Sequence, residues 1–280
     1  MALAEAAADN NTAAERAAGS SFYTAMRILP RAQREAMFAI YAFCRQVDDI
    51  ADSTGQRPFR REQLDRWRAD IDALYAGRPV HRTQELVGPV QDFALRKEDF
   101  LAIIDGMEMD VVADIRAPDD ATIDLYCDRV ASAVGRLSVR VFGMNEQDGL
   151  ALAHHLGRAL QLTNILRDLD EDGAVGRLYL PAEALRRAGI TDADPEKVLR
   201  NPALETACRT VVDRAGVHFS HADSIMARNP RRTVRAPRIM AEAYRVILDA
   251  LTERGWSYPR RPIHIPRARL LWIVMRHAFI

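Results

Sequence analysis

Two clusters of carboxylate side chains carry the chemistry that this sequence could perform. The first is Asp48-Asp49-Ile50-Ala51-Asp52, and the second extends from Asn164 through Asp168 to Asp172. Oxygen-bearing side chains recur at i and i+4 in both, so on a helix they would share one face, about one turn apart. Carboxylates among apolar residues are costly unless a cation neutralises them. Mg²⁺ binds such oxygens and commonly also the phosphate groups of a substrate, so the pattern predicts an enzyme that acts on a diphosphate.

The two clusters do not support this interpretation equally. Around the first, Tyr41, Arg45, Asp48 and Asp52 form a polar stripe, which an exposed ion pair of Arg45 with Asp48 or Asp49 would also produce. In the second, surplus acidity lies at the expected C-terminal end of a helix, where the helix dipole disfavours negative charge unless a cation is bound. The second cluster therefore favours the metal site. Its polar stripe consists of Gln161, Asn164, Asp168 and Asp172.

Three arginines lie within or beside the clusters. Arg45 and Arg167 belong to the motifs, and Arg177 follows a loop that runs from Gly173 to Gly176. The planar guanidinium group pairs bidentately with phosphate oxygens, which suits a diphosphate site. A surface salt bridge is the alternative role for each of the three. The loop lacks a GxGxxG pattern and no strand precedes it, so it does not indicate a dinucleotide site.

Helices must position both clusters, because apolar residues recur with helical periodicity almost throughout and no β-type alternation is visible. Both clusters fall at or near the C-terminal ends of their helices. Glycines and prolines separate the periodic segments, without an internal repeat or linker. The sequence therefore predicts one all-α domain over residues 20–280. The predicted helices span 31–52, 60–76, 83–95, 97–115, 121–142, 146–171, 203–228, 232–254 and 267–278.

Composition excludes several classes of function. The 280 residues include 39 basic and 39 acidic side chains, so no net charge attracts nucleic acid. Three widely spaced cysteines without a metal-binding pattern indicate reduced, mostly buried thiols. Residues 1–19 lack the basic start and apolar core of a signal peptide and are predicted to be a disordered leader. No apolar run reaches the roughly 18 residues that span a bilayer, so we predict a cytoplasmic protein that is at most peripheral to membranes.

Other candidate sites are weaker. His154 and His155 are predicted to point from different helix faces. His218 and His221 could chelate a metal at i and i+3, but no carboxylate has a matching zinc-type spacing, and surface histidines are the more typical interpretation. The small residues within 126–138 favour close helix packing, or a hydrocarbon tunnel if the two metal stripes flank them.

Taken together, these motifs resemble the squalene/phytoene synthase family from about Ser20 to the C-terminus. Two further segments, 25–30 and 106–110, are most similar to the branch of the family that makes presqualene diphosphate for bacterial hopanoids. Gly173-Ala174-Val175 departs from the family pattern, which has an alanine followed by a basic residue. This loop is expected either to hold diphosphate less tightly or to stay open for longer. The segments that carry the family resemblance are Ser20-Ser21-Phe22-Tyr23, Tyr41 through Arg45, Asp48 through Asp52, Tyr126 through Gly135, Gln161 through Asp168 with Glu171-Asp172, and Gly176 through Pro181.

The resemblance implies an isoprenoid-synthase fold, one helical domain around a central cavity, that uses roughly two to three Mg²⁺ ions and no NADPH. By motif, the Mg²⁺ ligands would be Asp48, Asp52, Asn164, Asp168 and Asp172. The diphosphate contacts would be Ser21, Arg45, Gln161, Arg167, Arg177, Tyr179 and Arg261. The hydrocarbon channels would be lined by Phe22, Tyr41, Val130, Ala133, Leu137, Leu160 and Tyr244. The residues implied in catalysis are Tyr41, Arg45, Tyr126 and Tyr179.

The implied reaction joins two farnesyl diphosphate molecules head to head (1′-1). Loss of diphosphate from one gives an allylic cation, the C2–C3 double bond of the other attacks it, and proton loss closes a cyclopropane, which yields presqualene diphosphate. Phytoene synthase, which would act on two geranylgeranyl diphosphates, and a full squalene synthase are the alternatives within the family. A non-catalytic assembly factor is a further alternative, although such a protein would be expected to lack the aspartates. Because the hydrocarbon part of the product is insoluble in water, we expect transient membrane contact and hand-over to later enzymes of the hopanoid pathway.

Overall fold

The computed structural model describes residue 26, residues 28–263 and residues 265–279. The predicted leader, together with Ser21 and Phe22, lies outside the described residues. Among the described residues no strand occurs, and β-type pairing is limited to one bridge between Arg116 and Leu178. The prediction of an all-α fold is therefore confirmed. The α-helices are α1 (Arg31–Asp52), α2 (Arg57–Tyr75), α3 (Val87–Asp92), α4 (Lys97–Val112), α5 (Asp120–Cys127), α6 (Ala133–Val141), α7 (Glu146–Arg167), α8 (Leu169–Ala174), α9 (Ala182–Arg187), α10 (Pro195–Leu199), α11 (Leu204–Ala227), α12 (Arg231–Arg254) and α13 (Arg267–Phe279).

Helices α1, α2 and α4 enclose an N-terminal core. Pro30 precedes α1, and the residues that α1 buries recur at helical spacing, so one face enters this core while the opposite face carries Arg45. Phe43 packs edge-to-face against Trp67 and Phe100, with ring centroids 5.3 Å and 5.2 Å away. Such aromatic pairs contribute about 0.5–1.5 kcal/mol beyond the area that they bury. The core therefore fixes the direction in which α1 presents its polar stripe.

Helix α7 is the central element of the C-terminal half. The Asn145 side chain caps it by accepting a hydrogen bond from the backbone N–H of Asp148. The helix packs against α6, α11 and α12, and it is buried along most of its length. Gly157 permits the closest approach, since a Cβ at this position would stand 2.7 Å from backbone atoms of Ser132. This packing fixes the position of Asn164, which lies in the last turn of α7.

A π-helical turn over Asp128–Ser132 interrupts the segment that the sequence predicts as one helix over 121–142. The segment consists instead of α5, the π turn and α6 in succession. A π turn inserts one extra residue into a helix and often occurs at functional sites. The turn places Val130 on the walls of two cavities. Apolar periodicity alone does not reveal the insertion.

Other predicted boundaries also differ from the structure. The helix predicted over 146–171 ends at Arg167, and α8 begins at Leu169. The backbone N–H of Asp172 still donates to the Asp168 carbonyl at 2.8 Å, so the chain continues its helical rise across the break. Helices α9 and α10 have six and five residues, too few to show a period in the sequence. None of the described helices is long and apolar enough to cross a bilayer.

Candidate active site

A polar cavity of about 870 Å³ lies where the C-terminal ends of α1 and α7 meet α4 and the chain that follows α8. The fold brings both acidic motifs to this cavity, although they are far apart in the sequence. All five predicted metal ligands are on its wall. The predicted site residues that line it are Arg45, Asp48, Asp52, Tyr126, Val130, Gln161, Asn164, Arg167, Asp168, Asp172, Arg177 and Tyr179.

The first motif occupies the last two turns of α1. Nη1 of Arg45 donates to Oδ2 of Asp48 at 2.7 Å, and its Nη2 donates to Oδ1 of Asp49 at 2.9 Å. The ion pair that the sequence left open is therefore present. A pair of this kind between exposed side chains stabilises a helix by only about 0.3–0.5 kcal/mol. Because the Arg45 side chain is 38% exposed at the cavity wall, it remains accessible to an incoming anion.

The second motif spans the end of α7 and the start of α8. Nε and Nη2 of Arg167 each lie 2.6 Å from a carboxylate oxygen of Asp168, in a bidentate pair. One turn earlier, the Asn164 amide donates to Oε1 of Gln161 at 3.3 Å. Oδ1 of Asn164 is buried and finds no hydrogen-bond partner in the part of the chain that the structure describes. Leaving a buried acceptor unpaired is costly, and a metal ion in the cavity would provide the missing partner.

Arg177 contacts both motifs. Its Nη1 donates to Oδ1 of Asp52 at 3.0 Å, and its Nη2 donates to the Ala51 carbonyl at 3.4 Å. Its backbone N–H donates to the carbonyl of Asp172 at 2.9 Å. The turn that begins at Gly173 thus sets a guanidinium group between the end of α1 and the end of α8.

Burial and mutual repulsion disfavour charge on two of the carboxylates. Burial, assisted by the charge of Asp52, raises the pKa of Asp48 to about 6. Burial, assisted by the charge of Asp168, raises the pKa of Asp172 to about 7. Both effects penalise the ionised form, and a bound cation would remove the penalty. The two motifs therefore have the electrostatics of a cation site.

The charges that line the polar cavity do not balance. Four guanidinium groups face seven carboxylates, which leaves a formal excess of three negative charges. Such a cavity repels a diphosphate unless cations are bound with it. Asp and Asn oxygens are the ligand type that Mg²⁺ prefers, so the donor set fits this metal. The carboxylates are Asp48, Asp52, Asp110, Asp114, Asp168, Glu171 and Asp172.

Asp110, on α4, is a cavity residue that the sequence analysis did not assign to the site. It is only 5% exposed and accepts hydrogen bonds from the hydroxyl groups of Tyr126 at 3.0 Å and Tyr179 at 2.5 Å. The two tyrosine rings stack with centroids 4.9 Å apart. Burial raises the pKa of Asp110, whereas the hydrogen bond from Tyr179 acts in the opposite direction. In the sequence, Asp110 is marked only by its place in the segment 106–110, which resembles one branch of the family.

Arg60, on α2, is a second residue that the sequence analysis missed. It lines the polar cavity, and its Nη1 donates to the Ala51 carbonyl at 2.7 Å. Its Nε is buried and has no hydrogen-bond partner in the described part of the chain. A buried donor of this kind is available to an anionic ligand. No sequence motif marks Arg60, because only the packing of α2 beside α1 brings it to the cavity.

An apolar cavity of about 200 Å³ adjoins the polar one. Val130, Gln161 and Asn164 line both, so the two cavities share a wall at the π turn and the end of α7. Leu160 and Tyr244, which the family resemblance assigns to the hydrocarbon, lie on the wall of the apolar cavity. The site therefore consists of a charged end for anions and cations and an apolar end for a hydrocarbon.

The family model for squalene/phytoene synthase matches residues 15–269. The chain belongs to the squalene/phytoene synthase family. A presqualene diphosphate synthase of Rhodopseudomonas palustris is 59% identical over 264 residues, which cover 94% of this chain and 95% of that protein. A presqualene diphosphate synthase of Sinorhizobium fredii is 58% identical over 277 residues, 99% of each chain. A 15-cis-phytoene synthase of Synechocystis is 32% identical over 266 residues, 90% of this chain and 78% of that protein.

The fold of the family is also found among solved structures. The crystal structure of a dehydrosqualene synthase in complex with ligand superposes with a TM-score of 0.81 at 24% identity, over 92% of this chain and 90% of that chain. The expectation of an isoprenoid-synthase fold is confirmed.

Two residues that the squalene/phytoene synthase resemblance assigned to the hydrocarbon lie elsewhere. Ala133 and Leu137 are fully buried in the N-terminal core and line neither cavity. The helical register after the π turn directs Val134 to the apolar cavity instead. A straight helix through this region, which the sequence suggested, would not have this register.

Two further assignments from the family also fall outside the cavity lining. Tyr41 is half-buried against the N-terminal core, one turn before Arg45. Arg261 is exposed, and its carbonyl accepts a hydrogen bond from Nη1 of Arg254 at 3.0 Å. The arginine that ties the C-terminal segment to the second motif is Arg260, whose Nε donates to Asp170 at 2.8 Å and whose side chain is 1% exposed. Arg261 is not among the residues that line the polar cavity, and its contact with diphosphate stays a prediction.

Proposed function

We propose that this protein condenses two farnesyl diphosphates head to head to presqualene diphosphate, with release of one diphosphate, for hopanoid biosynthesis. The observation that supports this reaction is the two-part cavity, in which a polar space lined by the acidic motifs and four arginines adjoins an apolar space at Asn164. Farnesyl diphosphate has the same two parts, a charged head and a hydrocarbon tail. The high identity to presqualene diphosphate synthases over nearly the whole chain supports this choice of reaction.

Mg²⁺ is the proposed cofactor, held by the five oxygen ligands of the two motifs. When bound, it would neutralise the diphosphate and make it a better leaving group. The excess of negative charge on the lining and the unpaired Oδ1 of Asn164 both support this assignment.

The arginines are proposed to bind and orient the diphosphates. Arg45, Arg167 and Arg177 each pair with an aspartate of the metal set, namely Asp48, Asp168 and Asp52. When those aspartates turn to metal, each guanidinium group is free to pair with phosphate oxygens. The aspartates thus exchange arginine for metal, and the arginines exchange aspartate for phosphate. Each charged group keeps an oppositely charged partner.

The interior side chains are proposed to protect and stabilise the allylic cation. Val130, Leu160 and Tyr244 keep water from the reacting carbons. The stacked rings of Tyr126 and Tyr179 lie at the cavity, where an aromatic face attracts a cation. Their hydroxyl groups are held by Asp110, which fixes the ring orientation. Proton loss then closes the cyclopropane.

A reductive second step is not part of the proposal, so NADPH is not required. The test is incubation of the purified protein with farnesyl diphosphate and Mg²⁺ in the absence of NADPH. We expect one diphosphate released for every two substrates and a C30 cyclopropyl diphosphate as product. Turnover of geranylgeranyl diphosphate alone would contradict the proposal and favour phytoene synthase. Squalene formed only after NADPH is added would favour a full squalene synthase.

We also propose that α13 contacts an anionic lipid bilayer, through which the product passes to later enzymes of the hopanoid pathway. Leu271, Trp272 and Met275 form an exposed apolar patch, each about half exposed. The helix has basic residues and no acidic ones, and Arg269 is exposed beside the patch. A basic helix with exposed Trp and Leu is typical of a helix that lies in a membrane surface. Met240 of α12 lines the apolar cavity and packs against the same cluster as Ile273 of α13.

Vesicle flotation tests the membrane contact. We expect the protein to float with phosphatidylglycerol vesicles and much less with phosphatidylcholine vesicles. Changing Leu271, Trp272 and Met275 together to serine should abolish flotation, whereas Val217→Ser, on the equally exposed Val217 of α11, should not. Equal flotation of the unmodified protein and the triple serine variant would overturn the membrane contact without affecting the proposed reaction.

A further inference from the structure

Four histidines gather on the surface between α7 and α11. His154 and His155 come from α7, and His218 and His221 come from α11. None of them lines the polar or the apolar cavity of the proposed active site. The sequence alone did not indicate this cluster, because His154 and His155 are adjacent in the helix and only the packing of α11 brings His218 to them.

The geometry of the cluster brings ring nitrogens together. Nδ1 of His155 lies 3.1 Å from Nδ1 of His218. Ligand nitrogens of His154, His155 and His218 all lie within 4.8 Å of one another. His221 stacks on His155 with ring centroids 4.5 Å apart and limits the movement of that ring. Nitrogens bound to one tetrahedral zinc ion, at about 2.0–2.1 Å each, are about 3.4 Å apart, so small side-chain rotations suffice.

The surroundings keep these rings neutral, the form in which histidine binds a metal. Burial first, and then the neighbouring histidines, lower the pKa of His218 to about 4. The pKa values of His154 and His155 are lowered as well, chiefly by burial. The groups whose charges act on the cluster are Arg136, Arg158, Arg214, Asp124 and Asp128.

The nearest positive charge is already neutralised. Arg158 forms a bidentate pair with Asp124, at 2.8 Å and 2.7 Å, and also contacts Asp128. Arg214 pairs with Asp120 and Asp124. These ion pairs hold both arginines to α5 and the π turn, so the histidines lie beside balanced charges.

We propose that His154, His155 and His218 form a zinc site that ties α7 to α11, separate from the Mg²⁺ motifs. Three imidazole nitrogens with a fourth position open to water are a ligand set that zinc accepts in proteins. Mg²⁺ is a hard cation that prefers oxygen ligands, so it does not compete for these nitrogens.

A bound zinc ion would act on the position of α7. Asn164, the first metal ligand of the second motif, lies on the same helix as His154 and His155. The ion would join α7, near its middle, to α11, the described helix against which it packs most extensively. The expected consequence is greater stability of the folded chain, because a ligand that binds only the native state stabilises it.

Titration of the whole protein with Zn²⁺ tests the site. The measurement uses a chromophoric zinc chelator as competitor, in an excess of Mg²⁺ so that the acidic motifs are occupied. We expect one zinc ion per chain and a rise in Tm on binding. His155→Ala and His218→Ala should each weaken binding at least tenfold, whereas His81→Ala, at an exposed histidine outside the cluster, should not.

Two further measurements keep the outcome clear. Unfolding curves in a zinc-free buffer show whether the alanine variants remain folded, and His218→Gln provides a milder change if they do not. The absorption spectrum of the Co²⁺ form should show nitrogen and oxygen ligation without a thiolate band. No saturable binding, equal binding by all variants, or a thiolate band would each overturn the zinc site. The titration requires no prenyl substrate, so its result is independent of the proposed reaction.

Discussion

Arg177 donates a hydrogen bond to Asp52 at 3.0 Å, across 125 positions of the chain. The contact joins the end of α1 to the turn after α8, and the side chain of Arg177 is only 13% exposed. The same residue bonds through its backbone to Asp172. A single arginine thus connects the two acidic motifs, and it is one of the residues that we propose bind a diphosphate.

Arg177→Ala should reduce kcat/KM for farnesyl diphosphate by roughly 100-fold, about 2.7 kcal/mol, because a charge-assisted contact to diphosphate is lost. Arg177→Lys should recover only part of the loss, since an ammonium group cannot pair bidentately. Release of diphosphate under steady-state conditions is the measurement. Arg186→Ala, at the exposed partner of Glu183, is the matched control and should keep wild-type activity. Equal activity in both alanine variants would remove Arg177 from the site.

The sequence predicted the parts of the site that depend on one helix. Helix α1 has the predicted bounds, because Pro30 precedes it and its apolar and polar residues occupy opposite faces. Asp48 and Asp52 follow directly from that periodicity. Asn164 and Asp168 were found in the same way, and the break at the end of α7 leaves them on the cavity wall.

The parts of the site that depend on contacts between helices could not be predicted. Asp110 becomes a site residue only because Tyr126 and Tyr179 reach it from two other segments. Arg60 and Arg260 have no motif and are positioned by packing alone. The π turn changes which residues face the apolar cavity, and a single inserted residue leaves almost no trace in apolar periodicity.

Asp172→Asn should stabilise the metal-free protein and strongly reduce enzymatic activity in the presence of Mg²⁺. Its folded pKa of about 7 is raised above the ordinary aspartate value, so the carboxylate favours folding below about pH 4 and that contribution is lost as the pH rises through 7. Asparagine cannot ionise, so the variant avoids this loss of stability. We expect its Tm to be a few degrees above that of the unmodified protein at pH 8, with a smaller difference at pH 5. Activity should fall by roughly 100-fold or more, because an oxygen ligand of the metal is lost. Thermal unfolding in chelator and diphosphate release are the two measurements.

Asp170→Asn is the matched control for this change, two positions away. The hydrogen bond from Arg260 lowers the pKa of Asp170, so this carboxylate stabilises the fold at neutral pH and its contribution is lost as the pH falls through the folded pKa. Asp170→Asn should therefore lower the Tm at pH 8, because Arg260 is buried and loses its charged partner. This Tm change is opposite in sign to the one expected for Asp172→Asn. Activity should persist. Two variants with the same sign of Tm change would contradict the electrostatic assignment.

Tyr126→Phe and Tyr179→Phe should each lower kcat by roughly 10- to 100-fold. Each change removes one of the two hydroxyl donors to buried Asp110, and an unpaired buried acceptor costs about 1–3 kcal/mol. Tyr41→Phe should change kcat by only a few-fold, because Tyr41 lies outside the cavity lining. Steady-state kinetics of the three variants, with Tm as a check on folding, separates them. A loss in Tyr41→Phe as large as in the other two would support the catalytic role that the family resemblance implies for Tyr41.

Leu160→Ala should shift the substrate preference toward a longer prenyl chain. Leu160 is only partly buried and lines the apolar cavity of about 200 Å³, so its truncation lengthens the space for hydrocarbon without opening the core. We expect the ratio of geranylgeranyl to farnesyl diphosphate turnover to rise by roughly tenfold, since a few methylene groups in an apolar pocket discriminate by that order. The measurement is competition between the two diphosphates, with products separated by chain length. Leu150→Ala, at an exposed leucine of the same helix that lines neither cavity, should leave the ratio unchanged. If both variants shift the ratio alike, the effect arises from loosened packing of α7, and the apolar cavity does not determine the preferred prenyl chain length.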